Sequence, residues 1–274
     1  MHLAHACCAS IRRFLGDIDI CLLVDGDADP AALVRTYGVR TVRTAEITDP
    51  DLRAECHGWG RSQLSVFWEA PWPTFLMLDA DTLVWGDVVR HADFERFDMV
   101  VDTHLDDLFP DTPASPTTAA FLGDVDARRW YYDPQQLERH FPGIDWIGEV
   151  DRLFCGGAIF ARRDVLSRER FLELTELGRR HPGLFSSGNM GILNALVAIE
   201  GIRVDRRPGL QRLVQMIDPG RMASEYPVDP VTGPVVGARP VVVHWAGMSK
   251  ATLDGRLALL SPTLPGRRRL ARSR

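Results

Sequence analysis

The stretch from Phe75 to Trp85 constrains the fold of this chain most. Four apolar residues, Phe75-Leu76-Met77-Leu78, run straight into Asp79-Ala80-Asp81, and Thr82-Leu83-Val84-Trp85 follow. Pro71, Pro73 and Gly86 bracket the run. A short apolar segment between breakers reads as a central strand of an α/β sheet, buried on both faces. Its carboxyl end delivers Asp79 and Asp81 to the sheet edge, where ligands bind in open α/β folds. Two carboxylates at i, i+2 repel each other, which raises the pKa of one unless a positive charge lies between them. Hard oxygen donors suit Mn²⁺ or Mg²⁺. An isolated Asp-x-Asp is also an ordinary helix cap or turn, so the rest of the chain decides between the two readings.

The flanking sequence alternates in βα fashion. Residues 4–15 read as a helix stopped by Gly16, 18–24 as a strand, and 30–37 as a helix with Pro30 at its start and Gly38 after its end. Residues 39–47 read as a strand and 60–69 as a helix leading into the central strand. Further strands are expected at 98–102, 154–160 and 241–244, with helices at 164–180 and 190–199. This alternation indicates an α/β fold with a mostly parallel sheet flanked by helices. One domain spans 1–252. Within it, 103–148 is rich in Asp, Pro, Thr and aromatics, including Trp130-Tyr131-Tyr132 and Trp146, and reads as an acceptor loop or lid. Residues 253–274 form a basic tail with Arg267, Arg268, Arg269, Arg272 and Arg274. The tail is expected to be disordered, with at most a weak contact to an anionic membrane surface.

A chain of 274 residues can bury a full core, and a net charge of −5 argues against a nucleic-acid partner. Five cysteines without a C-x-x-C spacing point to free thiols in a reducing, cytoplasmic setting. No run approaches the length of a membrane span, and Met1–Ser10 has no signal-peptide pattern. Of 32 basic residues only Lys250 is lysine. A compact ammonium is suited to a phosphate as a point charge, which makes Lys250 a candidate phosphate ligand.

Four separated segments resemble glycosyltransferase family 8, the glycogenin-like retaining transferases. Leu78-Asp79-Ala80-Asp81-Thr82-Leu83-Val84 resembles that family's Asp-x-Asp segment. Phe154-Cys155-Gly156-Gly157-Ala158-Ile159-Phe160 is similar to its Phe-Asn-Ser/Ala-Gly-Val strand. Gly188-Asn189-Met190-Gly191-Ile192-Leu193-Asn194 is similar to its Gly-Asp-Gln-Gly-Ile-Leu-Asn segment. Val243-His244-Trp245-Ala246-Gly247-Met248-Ser249-Lys250 resembles its Val-His-x-x-Gly-x-x-Lys motif. Their order also agrees, over roughly residues 15–252. The resemblance implies a GT-A fold, a Mn²⁺-dependent site (or Mg²⁺), a nucleotide-sugar donor such as a UDP-sugar, an acceptor of unstated class, and transfer with retention. It makes Asp79, Asp81 and His244 metal ligands and assigns Lys250 and the Gly247 backbone to the phosphates. Ala80, Cys155, Gly156 and Gly157 would line the donor site, and Asn189 and Met190 would face the reacting sugar.

The departures fall at the sugar. The family's Asp-Gln pair is Asn189-Met190, its strand Asn is Cys155, and its closing Pro-Trp is Ala251-Thr252. A basic residue expected before the central strand falls at Gln63, with Arg61 nearby as a substitute. Metal and diphosphate binding look intact while the sugar pocket is rebuilt. The family's opening strand is not visible ahead of the 4–15 helix. Either the fold lacks it or it lies upstream. The Gly-Gly-Ala-x-Phe run also resembles the blood-group-type transferases. Three rivals stand beside this reading. A haloacid-dehalogenase-type phosphatase would use Asp79 and Asp81, but its later acidic pair is not evident after Lys250. A nucleotidyltransferase would need a Gly-rich N-terminal loop, which is absent. A non-catalytic nucleotide-sugar-binding module would explain Asn189 and Met190.

Overall fold

A computed structural model describes residues 2–58, 61–103, 131–150, 152–185, 189–207, 210–213, 228–229, 233–234 and 241–244. Two sheets share the central segment. The first has the order β3 (Thr74–Leu78), β6 (Phe154–Arg162), β5 (Met99–Thr103), β7 (Val204–Arg206). In it β3, β5 and β7 run the same way and only β6 is reversed, so its two ladders with β3 and β5 are antiparallel. The second sheet has the order β4 (Thr82–Trp85), β11 (Val241–His244), β8 (Gln211–Leu213). A parallel pair, β1 (Cys21–Val24) with β2 (Arg40–Arg43), stands apart, as does a two-residue hairpin of β9 (Val228–Asp229) and β10 (Gly233–Pro234). The fold class is therefore the expected α/β one.

The buried strand residues divide among three clusters, the smallest of them Val100, Phe160 and Leu210 on the reverse face of β5 and β6. Met77, Met99, Val101, Ile159 and Ala161 face one cluster, completed by α7 (Arg168–Arg180) and α8 (Asn189–Glu200). Leu83, Val84, Trp85 and Val241–Val243 belong to a second cluster together with residues of α1 (His2–Phe14) and α2 (Ala31–Tyr37). Ser10 Oγ on α1 accepts a 2.9 Å bond from Val84 N, pinning that helix to β4. Gly38 ends α2 at φ 65°, the left-handed cap that glycine adopts without Cβ strain.

Several elements differ from the sequence reading in extent. The strand expected over 39–47 stops at Arg43 and continues as a 3₁₀ turn, Thr44–Glu46. The helix expected over 60–69 is a 3₁₀ turn, Ser62–Ser65, followed by the short α4 (Val66–Glu69), chain-ordered after α3 (Pro50–Glu55). The helix expected from 164 begins only after Ser167, whose side chain accepts from Arg170 N as its cap. The segment read as a patternless loop, 103–148, contains α5 (Pro134–His140) and the start of α6 (Trp146–Val150). Its described aromatics are core: Tyr131, Tyr132 and Trp146 are buried, and Tyr132 meets Trp146 edge-on at 5.5 Å. Residues 104–130 and the tail 253–274 lie outside the described residues.

The strand 75–78, expected as a central one buried on both faces, is instead the edge strand of its sheet among the described residues, and only Met77 in it is fully buried. Among the described residues β1 pairs with β2 and β3 pairs with β6. The flanks of β1 and β3 that face each other line a cavity of about 650 Å³, with Cys7, Cys8 and Ile11 of α1 also in its wall. No helix among the described residues is long and apolar enough to cross a membrane.

Candidate active site

The Asp-x-Asp sits in the turn by which the chain leaves one sheet and enters the other. Asp79 N donates to Gly157 O (3.1 Å), the last rung of the β3–β6 ladder direction. Thr82 then closes the turn, donating to Asp79 O from its N–H (3.1 Å) and its hydroxyl (2.7 Å). β4 starts there, antiparallel to β11, with Thr82 opposite His244. This register brings the imidazole to the two carboxylates. His244 Nε2 lies 3.3 Å from Asp81 Oδ1 and 3.5 Å from Asp79 Oδ2. Side-chain exposure is 6% for His244, 11% for Asp81 and 30% for Asp79, so Asp79 is the open side of the cluster.

Burial by itself lowers the His244 pKa, but the hydrogen bond to Asp81 and the neighbouring Cys155 and Asp79 outweigh it and lift it to about 10. Without a cation, the imidazole keeps a proton that compensates the carboxylates. The donor set fits a divalent ion. One oxygen from each Asp and one imidazole nitrogen all lie within 4.8 Å of one another. Adjacent ligands around an octahedral ion at 2.0–2.1 Å are about 3 Å apart, close to the spacings seen here.

The other expected residues divide. Gln63 Nε2 donates to Asp79 Oδ1 (3.2 Å), so it orients a ligand of the cluster. Arg61 instead pairs with Glu55 (3.3 Å), a carboxylate shared with Arg179 (2.9 Å). Ala80 is exposed between the two carboxylates, and Cys155 is half-buried one residue before Gly156. The glycine pair is a requirement of packing. A Cβ at Gly157 would stand 2.3 Å from His244 Nδ1 and 2.4 Å from Gln211 Oε1. A Cβ at Gly156 would stand 2.6 Å from Met190 Sδ and 3.3 Å from Gln63 Nε2. Asn189 and Met190 open α8 and are buried, Met190 against β6. Asn194 locks this arrangement: its oxygen accepts from Phe154 N (3.1 Å), and its amide donates to Phe154 O (3.1 Å) and Met190 O (3.0 Å). Gly247 and Lys250 lie outside the described residues.

Two residues escaped the sequence reading. Asp102, buried at the end of β5, accepts a hydrogen bond from Gln211 N, and Gln211 is itself buried beside His244. Asp102 closes a strand that was legible. Gln211 carries no signal, because a three-residue strand has no period to read.

No protein-family model matches the sequence, and no curated protein sequence matches it. Solved structures do. One is the galactosyltransferase LgtC in complex with donor and acceptor sugar analogs: TM-score 0.54, 16% identity, 96% of this chain against 94% of that one. An active-site mutant of LgtC gives TM-score 0.53 and 14% identity over the same shares. The chain has the GT-A fold. Asp79 and Asp81 stand just past the carboxyl end of β3, the edge strand of its sheet among the described residues, in the turn that leads into β4. At this identity the likeness establishes the fold and leaves activity to be argued from the site.

Proposed function

We propose that the protein is a metal-dependent glycosyltransferase that moves a sugar from a nucleotide-sugar donor, in our reading a UDP-sugar, to an acceptor, with retention at the transferred carbon. One observation carries the reading: Asp79, Asp81 and His244 converge where β3 ends and β4 begins in a GT-A fold. Asp79, Asp81 and His244 would hold Mn²⁺ or Mg²⁺, which supplies positive charge to the diphosphate as the sugar departs. Gln63 fixes the rotamer of Asp79, the more exposed ligand. Buried His244 closes the inner side of the cluster, so the donor phosphates approach from the Asp79 side. The bare strand at Gly156 and Gly157 lets Met190 and His244 pack directly against backbone. Lys250 and the Gly247 N–H are assigned to the phosphates, and Asn189, Met190 and Cys155 to the sugar pocket.

A non-catalytic module that binds a nucleotide-sugar is the second reading. The apolar Met190, buried on Gly156 where a polar side chain would meet the sugar, favours it. Calorimetric titration of UDP with and without Mn²⁺ tests the site. Binding that needs Mn²⁺ supports both readings, and absence of binding in both conditions refutes them. Steady hydrolysis or transfer of a donor sugar then eliminates the module.

A further inference from the structure

Two buried polar atoms beside the cluster, His244 Nδ1 and Gln211 Oε1, have no hydrogen-bond partner among the described residues. Buried polar atoms are rarely left so, and each costs free energy unless something satisfies it. These two are complementary and close. β8 and β11 are parallel neighbours with Gln211 opposite Val242. His244 is two residues beyond Val242, so His244 and Gln211 share a face of the sheet. Both aim at the space over Gly157: a Cβ there would lie 2.3 Å from the ring nitrogen and 2.4 Å from the amide oxygen. Their separation therefore cannot exceed the sum of those two distances. Gln211 is held in place by its own backbone, whose N–H bonds to the buried carboxylate of Asp102.

We propose that Gln211 is a positioning residue for His244, its amide oxygen accepting a hydrogen bond from Nδ1–H when Nε2 turns to a divalent cation. The inference rests on the metal-site reading above. A neutral imidazole that ligates through Nε2 must carry its proton on Nδ1, and an acceptor there fixes both tautomer and ring orientation. The Cys155 side chain is a competing hydrogen-bond partner of the ring, but a thiol is a weak acceptor beside an amide oxygen. The arrangement also assigns a purpose to the missing side chain at Gly157, since any Cβ would come between donor and acceptor.

The test compares Mn²⁺ affinity, by calorimetry on the full chain, for wild type, Gln211→Met, Gln211→Glu and Asp81→Ala. Gln211→Met keeps the length and removes the acceptor, and it is expected to bind Mn²⁺ about 10–100-fold more weakly. Gln211→Glu keeps an acceptor and should restore most of the affinity. Nitrogen-15 spectra of the Zn²⁺-loaded protein should show the His244 Nδ1 proton shifted downfield by its acceptor in wild type, and moved upfield or broadened by exchange in Gln211→Met. A merely structural role for Gln211 would not move that signal. If Gln211→Met fails to fold, Gln211→Asn, which draws the amide back by one methylene, replaces it with the same expectations. Equal Mn²⁺ affinity in wild type and Gln211→Met, with binding abolished in Asp81→Ala, overturns the role of Gln211 alone. A loss that follows Cys155→Ala and not Gln211→Met assigns the role to the thiol and also overturns it. Wild type that binds no Mn²⁺ overturns the metal-site reading itself.

Discussion

Replacing Gly157 by alanine should separate the cluster's geometry from the stability of the fold. Gly157 has ordinary extended backbone, so alanine adds no dihedral strain there. The cost is contact. The new Cβ would meet His244 Nδ1 at 2.3 Å, Gln211 Oε1 at 2.4 Å and His244 Cε1 at 2.7 Å. Relief to ordinary van der Waals separation requires the ring and the amide to retreat by about 1 Å. The ring has little room, because Nε2 is held to Asp81 and the side chain is 6% exposed. Overpacking of this kind costs about 1–3 kcal/mol, or a fall in Tm of about 2–4 °C per kcal/mol for a chain near this size. Mn²⁺ affinity should suffer more, because a ligand displaced by about 1 Å leaves the coordination sphere. Gly156→Ala is the internal comparison. Its Cβ meets Met190 Sδ at 2.6 Å, the flexible part of an adaptable side chain, and no metal ligand. The assay is thermal melting with Mn²⁺ calorimetry on both variants. Gly157→Ala with wild-type Mn²⁺ affinity, or Gly156→Ala with the larger affinity loss, would refute the reasoning.

Four further outcomes follow from the same geometry. Asp79→Ala or His244→Ala should abolish Mn²⁺-dependent UDP binding in calorimetry, and Lys250→Ala should weaken it by about 1.5–3 kcal/mol; undiminished binding in either ligand variant would sink the site assignment. The His244 pKa, raised from 6.5 to about 10, makes the imidazolium part of the metal-free fold. Its stabilisation is complete below pH 6.5 and is lost as pH climbs towards about 10, so denaturant melts of the metal-free protein should weaken across that window, and His244→Gln should flatten the trend. The same proton must leave before the cation binds, so Mn²⁺ affinity should rise about tenfold per pH unit below 10; affinity independent of pH would place the metal elsewhere. Asn194→Ala takes the side-chain partner from Phe154 N and Phe154 O, at about 1–3 kcal/mol for each buried group so stranded, while Met190 O keeps its helical bond; the loss is read as a fall in Tm, and an unchanged Tm would show that water replaces the amide.

Much of this was written locally. An apolar run that ends in two carboxylates is a strand delivering charge to an edge, whatever surrounds it, because burial fixes the run and solvation fixes its end. Gly38 and Ser167 mark helix ends through their own backbone and side-chain chemistry. The strand at 39–47 and the helix at 60–69 were overextended because apolar or helix-forming residues do not themselves say where an element stops. The aromatics of 131–146 read as a ligand surface, yet the described ones are core, since composition cannot tell which way a ring faces.

The sequence by itself determined the α/β alternation, the placing of Asp79 and Asp81 at a strand end, and the candidacy of His244. Tertiary structure decided that the three converge, because the β4–β11 register sets Thr82 opposite His244 across more than 160 residues of chain. It alone decided that Arg61 turns to Glu55 while Gln63 takes Asp79, and that Asp102 and Gln211 stand behind the imidazole. Hydrophobic spacing is a property of neighbours along the chain and can be read there. Register, and the orphaned polar atoms it brings together, belongs to strands distant in sequence and exists only once they pair.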